Sequence, residues 1–545
     1  VIGKEAGGAN TTGSYNTFLG IAGFANTTAS SNTGVGYNSM ASNTTGASNT
    51  AVGDSSLKFV TTGSFNTAVG QRSLEDNTAD NNVAIGWGSM TDNTTGTQNT
   101  ALGRSALAAS TTASYNTAAG YTSLVANTTG QENAAYGVES LAQNTTGGRN
   151  TALGGYACQG NTTASNNTGV GYLALYGNSE GHTNTAVGSE AGKSITTGDE
   201  NVIIGHGALD SGTTVNGNTA VGTDTMASAS YAGSYNTAVG YNALLVSTTG
   251  SGLTAIGNQS LDANTTGSNN TGVGAAALGS NTTADNNTAV GYAALSANTT
   301  AASNTAVGSL ALDAATTGGS NTAVGSQALG SVTTGSQNVA VGDFAGEDIS
   351  TGTRNTCIGA LSGEYGGDVL TTGSGNTLIG MGTKPSAADG TAQIVIGATP
   401  NTSNLPITGK GNSTGFINPQ GGGTFQGNNF ATWSQTSDIR IKKNITDNSV
   451  GLDKVKQIQV RNFEYKSPEE ISDGLSASDA VDITGTQVGV IAQEIETIFP
   501  DFITDESTGC KTVNHDNLTW YLVNSVKELL TKIEAAETRI TTLEG

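Results

Sequence analysis

Side chains able to do chemistry are sparse in this chain and poorly clustered. Three cysteines, Cys158, Cys357 and Cys510, and three histidines, His182, His206 and His515, are scattered over 545 residues. None stands at the spacing of a disulfide framework or a zinc site, so the sequence predicts no metal and no cofactor. Asn-Thr-Thr triplets such as Asn43–Thr45, Asn127–Thr129 and Asn298–Thr300 are formal glycosylation acceptors. Their regular recurrence reads better as stacked corner residues that close side-chain hydrogen bonds. Ice ordering by threonine ladders is a minor reading, and a calcium-binding roll is not expected because its Asp-bearing glycine-rich nonapeptide is absent. The densest set of reactive groups is Ser437-Asp438-Ile439-Arg440-Ile441-Lys442-Lys443-Asn444-Ile445. Residues five apart lie on opposite faces of a strand and well apart around a helix. A bend or a neighbouring subunit must therefore bring Ser437 and Lys442 together, and without that the stretch is a solvated basic turn.

The elements that hold these groups follow from two unlike compositions. Residues 1–436 carry 9 Lys and Arg, 23 Asp and Glu and 72 glycines, whereas residues 437–545 carry 11, 19 and 6. All six prolines lie at or after Pro385, so every backbone N–H before it stays available for a hydrogen-bond ladder. Glycine has no every-third-residue rule, which excludes collagen. No apolar run is long enough to span a membrane as a helix. The net charge of −22 argues against a nucleic-acid partner.

The first part is a repeat array. Aligned on the glycine that closes each Asn-Thr-Ala-Val-Gly-like unit, Gly3 to Gly397 mark 24 units. Nearly all intervals equal the step from Gly53 to Gly70, a period of seventeen; the exceptions are Gly20–Gly36, Gly70–Gly86, Gly222–Gly240 and Gly359–Gly380. Each unit holds Val or Ile before the glycine and Leu or Met four places after it, as at Val52 and Leu57 or Val307 and Leu312. Two or three large apolar residues cannot give a unit its own core, so stacking coil on coil is required, with each Val and Leu expected to pack on its counterparts above and below. So short a unit cannot hold a helical repeat, and Thr-Gly punctuation favours a β-solenoid. At about 4.8 Å per coil the rod is about 110 Å long, with either one chain or three forming its core. Residues 398–436, with Pro400, Pro406 and Pro419, read as a neck and a candidate receptor-contacting tip.

Near the C-terminus, Leu522, Val526, Leu529, Ile533, Ala536, Ile540 and Leu543 follow 4-3-4-3-4-3 spacing, a heptad seam that predicts chain association through a coiled coil at 520–545. Val and Ile alternating with Leu favour two strands by themselves; an amphipathic helix packed on its own domain is the competing reading. Leu452–Ile458 reads as a short helix, Val460–Tyr465 as a strand, and Val488–Glu494 with Ile495–Pro500 as a strand and helix.

The repeats resemble trimeric autotransporter adhesin heads, which form a parallel β-roll, and more nearly the Asn-Thr-Ala-Val-Gly arrays of phage tail fibres. The tail's Ser-Asp-x-Arg-x-Lys-x-Asn-Ile opening resembles the intramolecular chaperone domain of endosialidases and tail spikes, the peptidase S74 family. The resemblance implies a mainly β fold: an elongated, homotrimeric β-solenoid fibre over 1–397, a neck at 398–436 and an α+β chaperone over 437–545 ending in a coiled coil. It implies self-cleavage between Thr436 and Ser437, with Ser437 as nucleophile and Lys442 as general base, while Asp438, Arg440 and Asn444 support the motif. A lysine takes that proton only where burial lowers its pKa. No external substrate is implied, because no glycosidase domain separates array from chaperone. The expected partners are two further copies of the chain and a host cell-surface receptor, for instance a glycan, with the fibre on a virion. A cellular adhesin with the same chaperone is the alternative. The chain opens at Val1 in mid-unit, so an anchoring domain is expected upstream.

Overall fold

Each repeat commits three residues to a strand. Strands β1–β22, from Thr17–Leu19 to Thr377–Ile379, pair in parallel with their sequence neighbours, like residue opposite like residue. The computed structural model describes residues 2–21, 28–364, 369–397, 407–418, 424–426, 434–435, 444–470, 485–505, 511–515 and 517–545. It divides into two compact units, Val1–Thr436 and Ser437–Gly545.

The first unit is a β-solenoid of one chain. Its ladder starts with a parallel bridge between Ile2 and Leu19. After β22 come β23 (Thr383–Lys384), β24 (Ile394–Gly397), β25 (Ile407–Thr408) and β26 (Gly415–Asn418). β24 and β26 continue the main sheet in parallel, while β23 and β25 form a separate pair. β27 (Thr424–Gln426) and β28 (Ser434–Gln435) then join antiparallel. In its described part, the segment read as a neck therefore extends the solenoid sheet.

Strand parity decides what enters the core. In Thr-Ala-Val strands the central Ala points inward and is fully buried, as at Ala51, Ala186 and Ala306. The flanking Thr and Val point outward, because successive side chains in a strand face opposite ways. The expectation that the Val before each glycine packs inside is thus corrected: Val187 and Val307 are each 37 % exposed. The Leu column does pack inside, with Leu57, Leu107, Leu295 and Leu312 fully buried. It does so with left-handed backbone, Leu295 at φ 52 and Leu312 at φ 53. That conformation costs an L-residue about 1–2 kcal/mol, which the about 1.5–3 kcal/mol from burying a leucine offsets.

Only glycine fits the closing corner. Gly308 has φ 142, and a Cβ there would lie 2.3 Å from the carbonyl oxygen of Gly325 in the next coil. Inside, two asparagine ladders satisfy backbone groups that turns leave unpaired. Asn304 Oδ1 accepts from Asn321 N–H at 2.9 Å, and its Nδ2 donates to the Gly318 carbonyl at 3.0 Å. In the second ladder Asn298 Nδ2 donates to Asn281 Oδ1 at 2.8 Å. Asn43, Asn127 and Asn298 of the triplets are fully buried, which makes them turn-closing residues and removes them as glycosylation acceptors. Thr94 and Thr111 continue the pattern at the surface, each donating its hydroxyl to a carbonyl one coil on.

The second unit is α+β: α1 (Leu452–Val455), β29 (Arg461–Phe463), β30 (Gln487–Gly489), α2 (Ala492–Ile498), β31 (Ile503–Asp505), β32 (Lys511–Val513) and α3 (Leu518–Glu544). The pairs β29–β30 and β31–β32 are antiparallel. Its core gathers Ile495, Phe499 and Phe502, with Leu518 and Tyr521 of α3 against them. Among the described residues no helix is long and apolar enough to cross a membrane.

Candidate functional site

The reactive segment of the sequence falls at the boundary between the two units. Thr436, Ser437, Asp438, Arg440 and Lys442 lie outside the described residues. Asn444, the last motif position, is exposed and takes left-handed backbone at φ 56, a conformation asparagine adopts more readily than other non-glycine residues. The chain turns there. Asn448 and Val450 carbonyls then accept from Asn524 Nδ2 of α3 at 2.9 and 3.3 Å, and Glu528 Oε2 accepts from Leu452 N–H at 2.9 Å. The segment that follows the motif is thereby fastened to the C-terminal helix. A cleft lined by Asp447, Asn517, Trp520, Tyr521 and Lys527 opens beside it.

Two further contacts position the small sheet. Arg461 grips Glu494 of α2 through two hydrogen bonds, 2.8 Å from Nη2 to Oε1 and 3.2 Å from Nε to Oε2, holding β29 to α2. Phe499, Phe502 and Tyr521 stack with centroids 4.8 to 5.7 Å apart. Lys454 caps the stack, its ammonium 5.3 Å from the Phe499 ring.

Helix α3 uses its two faces differently. Tyr521 and Ser525 turn to the unit's own core, Ser525 being 5 % exposed. The heptad residues turn away: Leu522, Leu529 and Ile533 are each 46 % exposed, Val526 64 % and Leu543 84 %. The helix is therefore packed on its own domain, and its seam is still open. Sequence spacing located the seam; the separate packing face, marked by Tyr521 and Ser525, carried no comparable periodic signal.

Of the remaining reactive groups, Cys510 lies outside the described residues, His206 and His515 are exposed, and the others are held within the coil stack. Cys158 and Cys357 are fully buried, and burial pushes both thiols up to about 12. His182 Nδ1 accepts from Ser165 N–H at 3.0 Å within the coil stack. Among the described residues no cluster of three His, Cys, Asp or Glu side chains could hold a metal ion. Sequence reasoning missed the outward Thr-x-Val face; the period-2 parity of each three-residue strand was the signal that could have found it.

Geometry thus defines a long β-solenoid followed by an α+β unit that ends in a helix with an exposed heptad seam. The chaperone-of-endosialidase family, peptidase S74, matches residues 437–504, and the chain carries that domain at its C-terminal end. No curated protein and no solved structure matches the chain.

Proposed function

We propose that this chain is a homotrimeric attachment fibre, carried on a phage virion as a tail fibre, whose C-terminal chaperone sets three chains level and is then released by self-cleavage. One observation carries the reading: a stack of near-identical coils and a chaperone domain with an open heptad seam occur in the same chain. With 24 similar units, sliding one chain past another by a whole repeat preserves almost every contact, so the repeats specify register poorly. A C-terminal trimeriser aligns the chains once, and the solenoids associate from that end.

Release uses Ser437 and Lys442. Lys442 accepts the Ser437 hydroxyl proton while Oγ attacks the Thr436 carbonyl carbon. The Thr436–Ser437 C–N bond breaks as the Ser437 nitrogen takes a proton, leaving an ester on Oγ. Water hydrolyses that ester to the Thr436 carboxylate and restores the hydroxyl. The released fibre engages a host-surface receptor of glycan type; its net charge, 9 minus 23, is −14.

Expression of the full chain beside Ser437→Ala tests this. The wild type should give two fragments, one ending at Thr436 and one beginning at Ser437, and the variant should stay intact. An intact wild-type chain overturns the cleavage, and a single-chain native mass overturns the trimer.

A further inference from the structure

We infer that the outward strand face of the solenoid is the surface along which further copies of this chain pack, parallel and level. This rests on the trimer in the proposed function and names the surface that the trimer uses. In β1–β22 the two outward positions of each strand hold only Thr, Val, Ile, Leu, Ala or Tyr. No charged residue occurs there, although residues 1–436 carry 32 of them. The third-position column stays half open to water along the stack, with Leu19 at 48 %, Ile85 at 42 %, Val187 at 37 % and Val341 at 40 %. Beside it, one place after the closing glycine, six coils carry the exposed rings of Tyr37, Trp87, Tyr121, Tyr172, Tyr241 and Tyr292, while Asp54, Arg104 and Asp343 hold that place in others. Apolar patches of this continuity mark interaction surfaces, and aromatic residues are enriched in them.

Three observations identify the occupant as the same chain. The face keeps its spacing wherever the repeat length changes: Thr17 pairs Thr33, Thr67 pairs Val83, Thr219 pairs Thr237 and Thr356 pairs Thr377, so shorter and longer repeats leave the strand ladder unbroken. A partner in contact along the whole ladder must share that coil spacing, which another copy does. The area also suffices, since a stripe about 100 Å long and about 10 Å wide offers roughly 1,000 Å² per copy, against about 800 Å² in a standard stable interface. Finally, the open seam on α3 is a second apolar surface of the same chain.

The test uses the full chain with Cys510→Ser, so that an added cysteine is the sole accessible thiol. Val307→Cys lies on the face, and Thr300→Cys, exposed on another side of the coil, is the control. Oxidation should link chains through position 307 at about tenfold or greater yield than through position 300. A paired Val187→Lys, Val307→Lys variant should keep its β-sheet circular dichroism while raising the concentration for half-dissociation about tenfold or more. A trimeric wild type with equal linking at both positions overturns the interface and leaves the trimer standing. A wild type with single-chain mass overturns both. Thermal hysteresis in a monomeric wild type that is lost in the lysine variant overturns the interface and assigns the face to ice.

Discussion

The two units of this chain solve the same packing problem to different degrees. In the solenoid, every coil completes its neighbours: one apolar cluster runs from Phe18 to Phe416, and the asparagine ladders pair the turn amides. In the C-terminal unit, only Ile495, Phe499 and Phe502 are buried apolar side chains among the described residues. Most of the helix that should stabilise it faces outward. The contrast teaches which apolar surfaces the chain leaves uncovered. The solenoid closes its core from coil to coil, whereas the described part of the C-terminal unit leaves the heptad seam of α3 open to solvent.

The comparison can be broken most sharply at a glycine. Gly308→Ala places a Cβ 2.3 Å from the Gly325 oxygen and should cost the solenoid about 4 kcal/mol or more. Calorimetry should show the solenoid transition falling while that of the C-terminal unit stays; a shift below about 1 kcal/mol would mean the coils can separate cheaply. Truncating a leucine in each unit sharpens the contrast. Leu295→Ala in the buried column should cost about 3 kcal/mol at any protein concentration. Leu529→Ala, on the open seam, should leave the solenoid transition unmoved and lower that of the C-terminal unit in a concentration-dependent way. Equal, concentration-independent losses would show that the seam is not an interface.

The smallest effect is on pH response, and its sign differs between the units. In the solenoid, burial raises the carboxyl pKa values of Asp76, Asp262, Asp313, Glu347 and Glu364. The folded state then binds protons more readily than the unfolded chain, so stability rises as pH falls through the raised values. In the C-terminal unit, hydrogen bonds from Lys456 to Asp453 and from Lys532 to Glu528 lower those carboxyls. Their contribution is present above the ordinary carboxylate range and is lost as pH falls through the lowered values. Melting followed from neutral pH toward about pH 3 should raise the solenoid transition and lower that of the C-terminal unit.

Much of this organisation was legible in the residues. The fixed interval between glycines marked the coil, because a turn that brings two backbones into contact admits no Cβ, as Gly308 illustrates. The 4-3 spacing from Leu522 to Leu543 marked the seam, and the motif opening at Ser437 marked the chaperone boundary, which coincides with the division between the compact units. The valine column misled, because a β-branched apolar residue beside a recurring corner suggests burial, yet in Thr-Ala-Val it is the alanine that fits the narrow interior. The triplet asparagines were legible as stacked corner residues from their regular recurrence, and their burial and turn-closing hydrogen bonds agree.

By itself the sequence determined the period, the change of architecture and the existence of a helix with an apolar seam, all of which are linear properties of spacing and composition. Tertiary structure decided which side of each strand meets water, which face of α3 its own domain uses, and that one chain closes its own solenoid core. Those outcomes depend on how coils close in three dimensions. A side chain's neighbours one coil away are a full repeat distant along the chain, and only the folded stack sets whether the gap between them holds an alanine or a valine.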